Sequence, residues 1–255
     1  MVKSQEENQT TPINLPTHLG FIVDGNRRWA KARGLPTLEG HRRGAKQLEK
    51  VAEVAINKGI KYLSFYVFST ENWGRTQAEV DYLMDLLLSE ITRLIKKMKK
   101  LDVRCVILGS PDCPRPDIWQ RLLEAEEDTQ DCSKATICFC FNYGGQQEIA
   151  DAASALVAER LAARAEDDTD DDNYDSENLT QVTVEDLNAH IYHPEVPPVD
   201  MIIRTSGEER ISGFMLWRAA YSEFMFINKT FPDVDESVVD DILAEYGHRH
   251  RRFGK

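Results

Sequence analysis

Short apolar runs alternate along the chain with longer segments in which apolar residues recur every three or four positions. Runs rich in β-branched and aromatic residues predict buried strands, whereas the longer periodic segments predict amphipathic helices. The predicted strands are 19–23, 61–68, 103–108, 136–141, 199–204 and 224–228. The predicted helices lie near 40–57, 77–100, 115–130, 146–164, 184–191 and 235–251. Strands and helices therefore alternate along most of the sequence.

This alternation predicts an α/β fold with a doubly wound, mostly parallel sheet that has helices on both faces. The 255 residues, 42% of them hydrophobic, suffice for one large domain. We expect residues 1–15 to form a flexible N-terminus and residues 16–255 to form the domain. Gly59 is expected to end one helix, and Thr183 with Asp186 has the spacing of a capping box. In such a sheet, ligands bind at the carboxyl ends of the strands.

The predicted helix 77–100 carries an apolar stripe that is wider than one core-facing side needs. Two interpretations remain open. The helix is either well buried in the core, or it also lines a second apolar surface such as a lipid tunnel. The stripe consists of Val80, Leu83, Met84, Leu86, Leu87, Leu88, Ile91, Leu94 and Ile95.

One acidic run supplies most of the net charge of −12, and the rest of the chain carries only about −4. The run predicts a solvated surface loop at about 165–178. Asp168, Asp170 and Asp172 have the spacing of a calcium-binding loop. An EF-hand is nevertheless excluded, because Asn173 and Leu179 stand where glycine and glutamate are needed. The global acidity argues against a nucleic-acid partner.

The cysteines and the hydropathy pattern favour a cytoplasmic protein. The five cysteines show no CxxC spacing, so we expect free thiols in a reducing compartment. Cys138 and Cys140 lie two residues apart in a predicted strand and should point to the same face. No stretch approaches the roughly 18 consecutive apolar residues of a membrane span. Residues 1–14 have neither signal-peptide nor transit-peptide character.

Candidate chemistry begins where the first predicted strand ends, at Asp24. The chain continues with Gly25, Asn26, Arg27, Arg28 and Trp29. A strand followed by a glycine, backbone N–H groups and guanidiniums is typical of anion sites in α/β proteins. Because a lone carboxylate would repel a phosphate, Asp24 indicates a metal ion. The segment therefore predicts a site for a diphosphate and Mg²⁺.

Two more polar clusters follow predicted strands, at 68–75 and at 202–212. Both should reach the edge of the sheet at which Asp24 lies. The second cluster combines guanidiniums with a hydroxyl, which suits a clamp for another diphosphate. A carboxylate stands at the start of the last predicted strand. The residues concerned are Ser69, Asn72, Trp73, Arg75, Arg204, Arg210, Ser212 and Glu223. Two cationic clamps and two carboxylates predict two anionic substrates around one metal ion.

From about residue 16 to the C-terminus, these motifs closely resemble those of the cis-prenyltransferases, the undecaprenyl and dehydrodolichyl diphosphate synthases. The resemblance implies a doubly wound α/β fold with an elongated hydrophobic tunnel. It also implies condensation of isopentenyl diphosphate onto an allylic diphosphate, with Mg²⁺. The matching motifs are Asp24-Gly-Asn-Arg-Arg-Trp29, Gly40-His41, Phe68-Ser-x-Glu-Asn-Trp-x-Arg75, Asn142-Tyr-Gly-Gly145, Arg204-Thr-x-Gly-Glu-x-Arg210-Ile-Ser212 and Leu216-Trp-x-x-x-Tyr-x-Glu223.

The resemblance also implies a role for each residue. Asp24 would bind Mg²⁺ and help to draw off the allylic diphosphate, and Asn72 or a nearby group would assist proton loss. Glu223 would contribute to the metal site from a second subunit. The allylic diphosphate would be bound by Gly25, Asn26, Arg27, Arg28 and Arg75, with Trp29 also at the substrate. The reacting centre would be shaped by His41, Ser69, Asn72 and Trp73, and isopentenyl diphosphate would be held by Arg204, Arg210 and Ser212.

The C-terminal segment 248–255 allows three interpretations: a nucleic-acid or lipid-surface tail, the end of a helix, or a motif that acts across a dimer. Arg252 and Gly254 resemble the arginine-x-glycine motif of the family, which reaches the isopentenyl diphosphate site of the partner. The resemblance therefore implies a homodimer that is active without another subunit.

Two rival functions remain open. One is a non-catalytic subunit of a two-component prenyltransferase, although such subunits typically lose the aspartate motif that is intact here. The other is a short-chain or branched cis-prenyl diphosphate synthase. The spacing from Glu79 to Val103 shows no insertion of the kind that long-chain members carry. This favours undecaprenyl diphosphate, made from farnesyl diphosphate, and a lipid product implies transient contact with a membrane surface.

Overall fold

The computed structural model of the protein describes residues 15–166 and 181–249. The expected flexible N-terminus, apart from Leu15, lies outside these residues, as does nearly all of the expected acidic loop at 165–178. Arg252 and Gly254 of the C-terminal motif also lie outside them. The described residues contain one six-stranded sheet flanked by helices.

The strands of the sheet are β1 (His18–Ile22), β2 (Tyr62–Ser69), β3 (Val103–Leu108), β4 (Ala135–Tyr143), β5 (Met201–Arg204) and β6 (Glu223–Phe226). They lie in the order β3-β4-β2-β1-β5-β6, and every neighbouring pair is parallel. The chain therefore starts at the centre with β1, builds one side of the sheet and then returns to build the other side. This confirms the predicted doubly wound sheet and places its topological switch point beside β1.

The helices are α1 (Asn26–Ala32), α2 (Thr37–Asn57), α3 (Gln77–Lys100), α4 (Pro116–Asp128), α5 (Gly145–Glu166), α6 (Val184–His190) and α7 (Glu236–His248). Two 3₁₀ helices cover Thr70–Gly74 and Phe231–Asp233. Every strand and helix predicted from the periodicity is present, with each end within three residues of its predicted position. The sequence pattern gave no bounds for α1 and did not predict the two 3₁₀ helices.

Successive side chains of the strands enter two apolar clusters on opposite faces of the sheet. Phe21 and Phe65 belong to the larger cluster, and their ring centroids are 5.3 Å apart. The helices α2, α3, α4 and α7 contribute the other side of this cluster. Ile22 and Tyr66 belong to the second cluster. Because both faces of the strands are buried, the strands appear in the sequence as continuous apolar runs.

Several smaller sequence signals are confirmed. Gly59 adopts a φ of 103° just after α2, as a glycine that ends a helix does. Thr183 and Asp186 exchange side-chain and backbone hydrogen bonds at the start of α6. Cys138 and Cys140 are both fully buried in the second cluster, and all five cysteines are free thiols. Among the described helices, none is long and apolar enough to cross a membrane.

Candidate active site

Asp24 and Arg204 meet at the carboxyl edge of the sheet. The Arg204 guanidinium donates two hydrogen bonds to Asp24 Oδ2, of 2.9 Å from Nε and 2.7 Å from Nη2. The Thr205 hydroxyl donates to the Asp24 carbonyl oxygen at 2.7 Å. The adjacent parallel strands β1 and β5 end at the same level of the sheet, and this brings the two segments together. The predicted meeting of strand-end clusters is therefore present, with the carboxylate of one cluster bound to the guanidinium of another.

Arg204 also organises the rest of its own loop. Its Nη1 donates to Ser212 Oγ at 2.8 Å and to the carbonyl oxygen of Arg210. The side chain of Arg204 is only 6% exposed, whereas that of Arg210 is 62% exposed. The structure therefore holds Arg204 and Ser212 in fixed positions and leaves the Arg210 guanidinium at the open side of the site.

Glu79, at the start of α3, gathers three basic side chains of the candidate site. Its carboxylate lies 3.0 Å from Arg75 Nη1, 3.7 Å from Arg27 Nη1 and 3.6 Å from His41 Nε2. Burial, and then the positive charge of Arg75, lower the pKa of His41 to about 4. His41 is therefore a neutral ring at physiological pH.

Glu208 pairs with two other arginines of the candidate site in the same way. One of its oxygens lies 3.1 Å from Arg28 Nη2, and the other accepts a 2.6 Å hydrogen bond from Arg210 Nη1. Arg28 also donates to the carbonyl oxygen of Ser206 at 3.0 Å. Neither Glu79 nor Glu208 is among the site residues predicted from the sequence. The available signals were the four-residue spacing of Arg75, just before α3, and Glu79 in its first turn, and the Gly-Glu-Glu-Arg sequence around Glu208.

A short 3₁₀ helix after β2 orients the second cluster. The side chain of Asn72 accepts from the Ser69 backbone at 3.2 Å, in a reciprocal capping arrangement. The Trp73 indole donates to Asn142 Oδ1 at 2.8 Å, and its ring packs against Phe68. The pairing of β2 with β4 shifts register next to Phe68, as is common beside active sites. Ser69, Asn72 and Trp73 are therefore fixed at the same edge as Asp24, as predicted.

Gly25 and Asn26 lie between Asp24 and the arginines of α1. Gly25 has a φ of 97°, and a Cβ atom there would lie 1.9 Å from Ser206 Oγ. Among the described residues, Asn26 Oδ1 and Ser206 Oγ are buried polar atoms without a hydrogen-bond partner. Buried polar atoms without partners are rare, and next to a carboxylate and several arginines they are consistent with a polar ligand site.

The structure does not bring Trp29 and Glu223 into this arrangement. The Trp29 indole donates to Asp233 at 2.9 Å, and the Arg33 guanidinium lies 4.4 Å from its ring centroid. These contacts attach α1 to the 3₁₀ helix Phe231–Asp233 and give no support to a substrate contact. Glu223 does begin the last strand, but it pairs with Arg249 at 2.8 Å. It is level with Leu19 of β1, so within one chain it lies roughly 16 Å along the strands from Asp24.

An apolar cavity of about 170 Å³ extends from the site between the sheet, α2 and α3. It begins at Val23, Asn26 and His41 and continues to Met98 and Ala125. The lining residues from α3 are Leu83, Met84, Leu86, Leu87, Glu90, Ile91, Leu94, Ile95 and Met98. The helix α3 therefore packs on the core and also lines a second apolar surface, the wall of this cavity, and its use as a lipid tunnel stays a prediction.

The chemistry of the donors fits Mg²⁺ bound together with a diphosphate. Asp24 provides one carboxylate at a strand end, and its side chain is 37% exposed. Within residues 15–166 and 181–249, no group of three His, Cys, Asp or Glu side chains could hold a metal ion alone. Mg²⁺ commonly binds one or two carboxylates and completes its shell with water and substrate phosphate oxygens. A site with one carboxylate surrounded by arginines has this composition.

Comparisons with known proteins agree with this geometry. Residues 22–254 match the model of the family described as "Putative undecaprenyl diphosphate synthase". Isoprenyl transferase 2 of Bradyrhizobium diazoefficiens is 42% identical, over 94% of this chain and 90% of its own length. A trans,polycis-polyprenyl diphosphate synthase of Thermobifida fusca, described as (2Z,6E)-farnesyl diphosphate specific, is 41% identical over 94% of this chain and 81% of its own. Lavandulyl diphosphate synthase from Lavandula x intermedia, solved with dimethylallyl diphosphate, superposes with a TM-score of 0.82 at 29% identity, covering 94% of this chain and 99% of that chain.

Proposed function

Because the chain belongs to the cis-prenyltransferase family and is a prenyl-transferring enzyme, we propose that it condenses isopentenyl diphosphate units onto farnesyl diphosphate to make undecaprenyl diphosphate. One observation carries the proposal. Val23 and Asn26, on either side of Asp24 and Gly25, line an apolar cavity, so cationic groups for diphosphates lie next to space for a hydrocarbon tail. The spacing of α3, without an insertion between Glu79 and Val103, supports the chain length and the farnesyl diphosphate primer.

The two diphosphates are assigned to different groups of the site. Arg27, Arg28 and Arg75, with the backbone at Gly25 and the side chain of Asn26, bind the allylic diphosphate at the cavity mouth. Arg204, Arg210 and Ser212 bind isopentenyl diphosphate. In the structure, carboxylates of Glu79, Glu208 and Asp24 pair with these arginines. Substrate binding therefore exchanges carboxylate partners for diphosphate oxygens, which accept charge-assisted hydrogen bonds from guanidiniums in the same way.

Asp24 is the residue that would hold Mg²⁺. When bound, the ion supplies Lewis-acid stabilisation of the negative charge on the departing diphosphate. The arginines add fixed donors at the same oxygens, where charge develops as the allylic C–O bond breaks. Asn72 or a nearby group assists the loss of the proton that leaves isopentenyl diphosphate when the new carbon–carbon bond forms. His41, Ser69 and Trp73 exclude water from the reacting carbon atoms at the cavity mouth.

A second subunit completes the proposed enzyme. Glu223 lies far from Asp24 within its own chain, so its metal role requires the Asp24 site of a partner copy. Arg252 and Gly254 would reach the isopentenyl diphosphate site of the partner in the same homodimer. The protein works in the cytoplasm and contacts a membrane surface transiently to deliver its lipid.

A shorter or branched product is the second candidate. It is favoured by the similarity to lavandulyl diphosphate synthase over nearly the whole chain. Chromatography of the product decides between the two candidates.

The test is incorporation of radiolabelled isopentenyl diphosphate by the purified chain with Mg²⁺ and farnesyl diphosphate. We expect a labelled lipid that co-migrates with undecaprenyl standards after removal of phosphate. Asp24→Ala should lower kcat by about 100-fold or more, because it removes the carboxylate that holds the ion. Asp24→Asn keeps the shape and an acceptor for Arg204, and it should be almost as inactive. No labelled lipid from the wild-type chain, or normal turnover in both variants, would contradict the proposal.

A further inference from the structure

Charged side chains connect α2 to α3 along the cavity. The group, called here the α2–α3 clasp, consists of Glu49 and Glu53 on α2 with Glu90, Arg93 and Lys97 on α3. Arg93 donates to Glu49 Oε2 at 2.9 Å from Nη1 and to Glu90 Oε2 at 2.9 Å from Nε. Lys97 Nζ lies 3.7 Å from Glu49 Oε2 and 2.9 Å from Glu53 Oε2. Two carboxylates of α2 are therefore held by two cations of α3.

The position of Glu49 is unusual for a carboxylate. Its side chain is only 12% exposed, and both Glu49 and Glu90 line the apolar cavity. A charge beside apolar surface is costly unless it is paired. Arg93 provides the pair and is itself 51% exposed, so its guanidinium lies on the water side of the carboxylates. The clasp therefore forms a layer of ion pairs between the cavity and the solvent.

This layer is where the wall of the cavity can open. On the sheet side, the cavity is lined mainly by buried residues such as Phe68, Phe139 and Phe141, whose packing resists displacement. On the α2–α3 side, Leu87 and Leu94 are only half-buried, and the ion pairs above them are open to water. Ion pairs that face solvent hold two helices weakly, because water and salt compete for the same groups.

We propose that the α2–α3 clasp limits the length of the lipid product, and this inference rests on the proposed function. The tail grows from the Asp24 site along α3 towards Met98 and Ala125 at the far end of the cavity. Once the tail fills the cavity, further growth requires α3 to move away from α2, and the clasp must then break. The strength of Glu49–Arg93 pairing thus sets the length at which elongation stops and the product leaves.

The experiment compares product lengths by reverse-phase chromatography of radiolabelled lipid from the full-length chain. We expect Arg93→Gln and Glu49→Gln each to shift the main product longer by at least one isoprene unit. The double variant should shift it no further than either single variant, because both changes break the same contact. Arg93→Lys, which keeps the charge but loses the bidentate geometry, should give an intermediate shift. The rate of the first condensation should stay within about 2-fold of wild type, a change of less than half a kcal/mol.

The matched control is Lys99→Gln. Lys99 is on the same helix and loses the same charge, but its partner is Asp128 of α4, 3.4 Å away, and it does not line the cavity. Its product length should equal that of wild type. Unchanged lengths in Arg93→Gln and Glu49→Gln, or an equal shift in Lys99→Gln, would overturn the inference while the proposed function stands. A wild-type chain that makes no labelled lipid would instead overturn the proposed function, and the inference with it.

Discussion

Gly25 shows how one residue shapes the candidate site. It follows Asp24 with a φ of 97°, a conformation that residues with a Cβ rarely adopt. The chain must turn here so that Asp24 faces Arg204 while α1 begins one residue later. The space is also closed, because Ser206 and Thr230 lie next to the position a Cβ atom would take. The Asp-Gly pair is therefore required by backbone geometry as well as by chemistry.

This geometry predicts the effect of Gly25→Ala on stability. Positive φ costs alanine about 1 kcal/mol, and the contact with Ser206 adds a similar or larger cost, so we expect a total of roughly 2–4 kcal/mol. Gly34→Ala is the control: Gly34 has a φ of 65° but no atom within 4 Å of the Cβ position. It should lose only about 1 kcal/mol. Urea denaturation measures both. Adding Ser206→Gly should recover part of the Gly25→Ala loss, and equal losses at positions 25 and 34 would contradict the steric argument.

At the scale of elements, periodicity predicted the strands and long helices because burial repeats with the geometry of each element. The start of α2 and the end of α7 were the least accurate boundaries, each three residues from its predicted position. The helix α2 begins at Thr37 instead of residue 40, since its first turn has little apolar content and only the extended Pro36 marks it. Glu79 and Glu208 could not be assigned either. Their pairs with the neighbouring Arg75 and Arg210 are visible in the local sequence, but their contacts with Arg27 and Arg28 of α1 are long-range and are not encoded there. The meeting of the motif residues at three strand ends was predictable, because the carboxyl ends of parallel strands lie at the same edge of the sheet.

A buried ion pair attaches the first turn of α5 to the segment that precedes β6. Arg218 pairs with Glu148, and their side chains are 2% and 0% exposed. The Tyr143 hydroxyl donates to Glu148 Oε2 at 2.5 Å, and Arg218 also donates to carbonyl oxygens of Tyr192 and His193. This network fixes the loops that flank the Arg204 cluster, on the face of the sheet opposite the cavity.

We expect Arg218→Met to lower the free energy of unfolding by about 3–5 kcal/mol, because it leaves the Glu148 carboxylate buried without its cation. Adding Glu148→Met should cost much less than the sum of the single changes, since no uncompensated charge then remains. Lys99→Met, which breaks a solvent-exposed pair with Asp128, is the control and should stay within about 1 kcal/mol. Urea denaturation of the four variants measures the coupling. Additive losses at positions 148 and 218 would argue against a buried pair.

At the scale of the whole molecule, two buried histidines link the fold to pH. His18 lies between the Pro197 carbonyl oxygen and the Ser64 hydroxyl, and burial lowers its pKa from 6.5 to about 4. Burial first, and then Arg75, lower the pKa of His41 to about 4 as well. Both rings are therefore neutral in the folded protein at pH values where the unfolded chain already binds protons. Their contribution to stability is complete above pH 6.5 and is lost as the pH falls towards 4.

Between pH 6.5 and pH 5, this linkage predicts that the free energy of unfolding falls by about 1–2 kcal/mol per histidine, or by about 3 kcal/mol for the two together. Most carboxylates remain ionised in this window. The contacts of His190 with the Asp186 carbonyl oxygen and Glu159 raise its pKa, and this ring opposes the fall, so the comparison with His41→Gln isolates the part that belongs to one buried ring. Urea denaturation at both pH values measures it. The variant His41→Gln lacks one of the two buried rings, so its free energy of unfolding should fall by only about half as much as that of the wild-type protein. If the free energy of unfolding of the wild-type protein falls by less than about 1 kcal/mol, the rings take up protons in the folded state. The description of His41 as a buried, neutral ring beside the cavity would then be wrong.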